Sequence, residues 1–199
     1  MRANFSSRRP AFLELPNRSF KGNNNRTDYC PLNSGVMSLM VDFPNNVNNA
    51  TIASYFLFGL EAGMFEDNCA KDWAYKIIEL SEDPPIDIIE IATANRREEV
   101  FEVLALVVGE RDNKLAGKWL LSNLHDYIQA HPASLKRVIK QAMQVSRSCE
   151  LPDNVYYAFD IIDDELFLAE NDSYGTVDQC RLELISALAE FGVSPSVGT

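Results

Sequence analysis

Tyr55-Phe-Leu-Phe-Gly-Leu-Glu-Ala-Gly-Met-Phe65, Asp72-Trp-Ala-Tyr-Lys-Ile-Ile78 and Pro84-Pro-Ile-Asp-Ile-Ile-Glu-Ile-Ala92 decide the fold. Each stretch is short, apolar on helical spacing and closed by a breaker. Asn49 or Thr51 can cap the first helix, which carries Ile52, Tyr55, Phe56 and Gly59 on one face. Gly63 suits its end. The second helix spans 69–80, with Trp73, Ile77 and Leu80 on one side. A proline in a helix's first turn loses no hydrogen bond, so Pro84-Pro85 opens a third, very short one.

Similar signals continue downstream. Asn95 with Glu98 has the spacing of a capping box. Residues 100–108 are apolar almost all round, which predicts a helix central in the fold. Leu120, Leu124, Tyr127 and Ile128 share a face in the next helix, which His131-Pro132 ends. Ser134 caps another, striped by Leu135, Val138, Ile139, Ala142 and Met143. One or two helices follow over 152–170. After Gly175, Thr176 with Gln179 opens a last helix reaching about Phe191. The expected class is all-α. The expected architecture is an irregular array of about seven to nine short helices packed as antiparallel pairs, in a single domain over 49–199.

Residues 1–48 read as an irregular, basic, Asn-rich N-terminal arm. Phe12, Leu13 and Leu15 are its candidate anchors, and residues 36–43 are a candidate strand with no evident partner.

The chain has 199 residues, 46% of them hydrophobic, enough for one sizeable core. Its net charge of −11 argues against nucleic acid as a ligand, because phosphate binding needs clustered Lys and Arg. The charge is polarised. Residues 1–30 hold six bases and two acids, whereas residues 151–199 hold ten acids and one base. No stretch approaches the ~20 apolar residues that span a bilayer, and no apolar run follows the N-terminal arginines. A cytoplasmic protein without a membrane partner is expected. None of Cys30, Cys69, Cys149 and Cys180 forms a Cys-x-x-Cys pair, and reduced thiols are expected.

Catalytic signatures are sparse. His125-Asp126 is a dipeptide that metal phosphohydrolases use, but no earlier histidine completes a metal shell. There is no serine elbow and no Gly-rich phosphate loop. The acidic run after Pro152 is the remaining candidate. Asp160, Asp163 and Asp164 lie at i, i+3 and i+4 and so share a helix face, with Glu165 and Asp172 following. Like charges at that spacing repel, so the cluster needs an explanation. It could hold a divalent cation, meet Lys and Arg of a partner, or be a solvated surface. Tyr156 and Tyr157 interleave with it, a composition that suits an interface as well as a core.

Gly59-Leu60-x-x-Gly63, Trp73-Ala74-x-x-Ile77 and Pro85 with Ile88-Ile89-Glu90 resemble a pattern in small helical bacterial proteins. Several such groups resemble immunity proteins encoded beside contact-dependent or polymorphic toxins. Asp163-Asp-Glu-Leu-Phe-Leu-Ala169, then Tyr174-Gly175 and an amphipathic helix, is similar to their C-termini. The resemblance covers about residues 50–191 and leaves out the basic arm. It implies a non-enzymatic protein-binding module that neutralises a toxin by occlusion. The acidic face of Asp160, Asp163, Asp164, Glu165 and Asp172, with Tyr156 and Tyr157, would meet a basic cognate protein, with no cofactor. Two alternatives stand beside it: a metal-dependent helical hydrolase or lyase using the Asp160–Asp164 face, and a helical scaffold or assembly subunit.

Overall fold

The computed structural model describes residues 43–195. Among them the protein is all-α. The helices are α1 (Asn49–Glu61), α2 (Asp67–Leu80), α3 (Ile86–Thr93), α4 (Arg97–Leu106), α5 (Asn113–Ala130), α6 (Leu135–Ser148), α7 (Asp153–Glu170) and α8 (Val177–Phe191). A single 3-10 turn, Pro132–Ser134, leads into α6. The expected arm up to residue 42, including Phe12, Leu13, Leu15 and most of the candidate strand, lies outside the described residues. So does Cys30.

The helix starts follow local chemistry, shifted by a residue from the sequence reading in three places. Asn48, not Asn49 or Thr51, caps α1 by accepting from the Ala50 N–H at 2.9 Å. Thr51 is instead buried, accepting from the Asp112 N–H at 3.0 Å. Pro85 precedes α3 rather than lying inside it. At α4 it is Glu99, not Glu98, that turns back, accepting from the N–H groups of Asn95 and Arg96 at 2.9 and 3.3 Å. Thr176 does cap α8, accepting from the Gln179 N–H at 3.2 Å. The Gln179 side chain reaches Glu183 instead of completing the box.

Helix α1 is the spine. It is buried from Ala50 to Phe56 and again at Gly59 and Leu60, and it packs on α2, α4, α5 and α6. Its aromatic side joins Phe43, Tyr55, Phe56, Phe65, Trp73 and Trp119, with neighbouring ring centroids 5.1–6.3 Å apart. Gly59 is needed where Phe65 folds back: a Cβ there would lie 2.1 Å from the ring. Gly63 takes the left-handed conformation (φ 64) that ends α1.

The carbonyls left open at that end are satisfied by distant side chains. Arg97 donates to Leu60 O at 3.1 Å, Gln144 to Glu61 O at 2.9 Å, and Gln141 to Ala62 O and Gly63 O at 3.1 and 3.0 Å. An unpaired buried carbonyl is costly, so these bonds fix α4 and α6 on the spine.

Helices α1 to α4 close one ring, α5 to α8 close a second, and α1 against α5 and α6 joins them. The pairs α1/α4, α6/α7 and α7/α8 run antiparallel, as their cross-helix contacts show: Leu60–Arg97 and Thr51–Glu110, Lys136–Glu170 and Lys140–Asp163, Glu165–Glu183 and Phe159–Phe191.

One expectation is corrected. The 100–108 run is not central. Helix α4 is an edge helix that buries Val100 and Leu104, stops at Leu106, and leaves Leu106 and Val108 exposed. The reason lies at its end. Arg111 donates to the carbonyls of Leu104, Ala105 and Val107 at 2.8, 2.9 and 3.1 Å, closing the helix and turning the chain into α5.

Candidate functional site

Helix α7 forms between Pro152, which cannot continue a preceding helix, and Asp172, whose left-handed backbone (φ 52) ends it. Val155, Phe159, Ile162, Leu166 and Ala169 recur at helical spacing and point into the second ring. With that stripe fixed, every other residue of α7 has a defined side: toward α6, toward α8, or outward.

The side toward α6 carries the first half of the expected acidic face. Lys140 Nζ meets Asp163 Oδ2 at 2.6 Å, and Lys136 Nζ meets Glu170 at 3.3 Å. Tyr156 donates to Asp160 Oδ1 at 3.3 Å, while the Arg147 guanidinium stacks 4.0 Å over the Tyr156 ring. Lys136, Lys140 and Arg147 are spaced four and seven along α6, so one cationic edge of α6 runs against one acidic edge of α7. This arrangement explains how Asp160 and Asp163 coexist. The Asp163 carboxylate, by hydrogen bond first and then by charge with Asp160 behind it, raises the Lys140 ammonium above its usual range.

The side toward α8 is different. Glu165 faces Glu183 across α7/α8, and that neighbouring carboxyl, ahead of desolvation, pushes the Glu165 carboxyl up. The two acids lie beside buried Cys180, whose thiol is pushed up by burial first and then by their charges.

Outward, Tyr157, Ile161, Asp164 and Leu168 fall at i, i+4, i+7 and i+11. Tyr157 and Ile161 are 59% and 57% exposed, three large side chains of this row stand in solvent, and Phe167 beyond them is 63% exposed. The Tyr157 ring meets Tyr156 edge-on at 5.6 Å, which steadies it. Asp172 is exposed in the α7–α8 turn beside Tyr174.

The seven expected residues are thus divided. Asp160, Asp163 and Tyr156 turn toward α6, Glu165 toward α8, and Asp164, Asp172 and Tyr157 toward solvent. Sequence reasoning set Phe167 among the aromatics that interleave with the acids, but did not weigh Ile161 or Leu168. Their signal was present: they are large apolar residues off the buried stripe.

Other candidate chemistry finds little support in the geometry. His125 Nδ1 lies 3.2 Å from Asp126, Nε2 contacts Gln129, and His131 stacks on Tyr127 with centroids 4.5 Å apart. Among the described residues no group of three or more His, Cys, Asp or Glu is placed to hold a metal ion. Burial, with the Glu61 charge second, pushes the Cys149 thiol up to about 12, so it is a packing group rather than a nucleophile. Nor is any helix among the described residues long and apolar enough to cross a membrane.

Comparison with protein-family models, with curated proteins and with solved structures finds no match to this chain.

Proposed function

We propose that the chain is a cytoplasmic, non-enzymatic protein-binding module of bacterial immunity type, which occludes a basic cognate toxin through the outer face of α7. The observation that carries this reading is the row Tyr157, Ile161, Asp164 and Leu168. It sets exposed aromatic and aliphatic area around an acid in the most negative quarter of the chain. A rigid tyrosine supplies contact area at small entropic cost, and apolar groups framed by charge suit an interface. The cation ladder on α6 engages Asp163 and Glu170 but leaves Asp164 facing outward, where it can meet a partner's Lys or Arg. A basic toxin would be drawn to this quarter by electrostatic steering.

The product of the gene directly upstream is the partner to test first. Co-expressed with this chain, it should form a stoichiometric complex whose association slows as ionic strength rises. Ile161→Asp with Leu168→Asp should abolish the complex while leaving the helical spectrum intact. Asp164→Asn should slow association at low salt only. A complex indifferent to all three substitutions removes this face from the interface, and an upstream product that never binds removes the immunity reading.

A further inference from the structure

The first ring carries a second apolar surface, separate from α7. A groove of about 630 Å³ runs between the start of α1, α3 and the end of α4, walled by Val47, Pro85, Ile86, Leu106 and Val108. Ile86, Leu106 and Val108 are 75%, 73% and 82% exposed. Scattered exposed aliphatics are ordinary, but three converging on one groove are a surface to be covered. The walls are tied together, since Asp87 of α3 accepts from the Val108 N–H at 2.9 Å.

The chain itself enters beside this groove. Phe43 is fixed in the aromatic core, its ring 5.2 Å from Tyr55 and 5.4 Å from Trp119. The Val47 N–H then donates to Pro44 O at 3.1 Å, a turn that sets its first and fourth residues within about 7 Å. The described residues thus begin at Phe43, four positions before Val47, one wall of the groove. Just ahead of Asp42 in the sequence stands Val36-Met-Ser-Leu-Met-Val41, an apolar run that lies outside the described residues.

We propose that this groove is the docking site of the segment 36–41 of the same chain. Six extended residues reach up to about 20 Å. In extended form Met37, Leu39 and Val41 share one side, and Val36, Ser38, Met40 and Asp42 the other, so the first, wholly apolar side can face the aliphatic walls. The attachment makes docking intramolecular, with an effective concentration of order millimolar, so a shallow groove suffices. Charge agrees as well. The segment follows the basic residues 1–30, while Asp87 and Glu90 line the groove. Docking would hold the basic arm on the ring that does not carry α7.

Amide hydrogen exchange on the full chain tests this. Wild type is compared with Leu39→Asp/Val41→Asp and with Ile86→Asp/Leu106→Asp, two exposed groove positions whose substitution spares the core. Each pair should raise exchange by about tenfold at both residues 37–41 and residues 106–109, the change that follows when a local contact is lost. Exchange at Leu120–Leu124 should not move, which separates undocking from unfolding. Unchanged exchange at 106–109 in Leu39→Asp/Val41→Asp overturns the proposal. Protection that grows with protein concentration also overturns it, in favour of a second copy as occupant, and protection seen only with an added partner does so in favour of that partner.

Discussion

Lys140 Nζ stands 2.6 Å from Asp163 Oδ2 across the α6–α7 seam, with Asp160 one turn away. One lysine therefore offsets two aspartates. Removing the lysine leaves both acids facing each other, whereas removing Asp163 leaves a lysine still near Asp160. Lys140→Met should destabilise the protein more than Asp163→Asn does. Both groups are partly exposed, so the direct pair contributes only a few tenths to about 1 kcal/mol. Urea midpoints of the two variants measure the order, and an equal shift would reject the argument. The pH dependence has a definite sign. The Lys140 value is raised in the fold, so its contribution is full below the ordinary lysine value of 10.5 and is lost as pH rises through the raised one.

The Glu165–Glu183 contact acts in the opposite direction. Glu165 is raised above 4.5 in the fold, chiefly by the Glu183 carboxyl that faces it. A raised acid favours the protonated native state, so its cost is present at neutral pH and is relieved as pH falls through the raised value toward 4.5. Glu183→Gln should stabilise the protein at pH 7, and the two melting temperatures should converge as the pH is lowered. A constant difference across that range would show that the two carboxylates do not interact. Gln179, which donates to Glu183 at 3.1 Å, keeps a partner in the variant because the amide oxygen also accepts.

These relationships also mark what the sequence could reveal. Helix α6 was legible because Leu135, Val138, Ile139 and Ala142 repeat at 3.6 spacing and are all buried. The outward positions of Lys136, Lys140 and Arg147 follow from the same repeat. That α7 would lay Asp163 and Glu170 against them was not legible, because it depends on which helix lies alongside. Likewise Asp160, Asp163 and Asp164 were read as one face. A packed neighbour turned that face into two, one engaged and one open. The run 100–108 misled for a related reason. Its composition is that of a core helix, but its place is set by Arg111, which lies outside the run.

Arg111 therefore carries a sharp expectation. Its guanidinium donates to three carbonyls at the end of α4 and to Ser54 Oγ at 3.0 Å, and burial lowers its value without neutralising it. Arg111→Ala strands those carbonyls and loosens α4 from α1. The expected loss is roughly 2–3 kcal/mol, in the range for hydrogen bonds to a charged group with partners left unpaired. Chemical denaturation measures it, and a loss near zero would mean that water replaces the guanidinium at no cost. Arg111→Lys should recover only part, because one ammonium cannot reproduce the planar fork.

The last expectation concerns a polar contact within the aromatic core. The Asn123 side-chain amide is hydrogen-bonded to the Tyr55 hydroxyl, and both residues are buried among apolar neighbours. Burial, the largest influence, holds the Tyr55 phenol well above its ordinary value, so it stays neutral at physiological pH. Tyr55→Phe keeps the ring and its contacts with Phe43, Phe56, Phe65 and Trp119, but it leaves the Asn123 amide without its acceptor. A buried donor without a partner costs about 1–3 kcal/mol, so the single variant should lose that much. Asn123→Leu alone should cost a similar amount by stranding the hydroxyl. In the double variant both polar groups are gone and the site is apolar throughout. Its loss should fall well below the sum of the two single losses. A double-mutant cycle by urea denaturation reads the coupling directly, and strictly additive losses would show that each group finds water in the absence of the other.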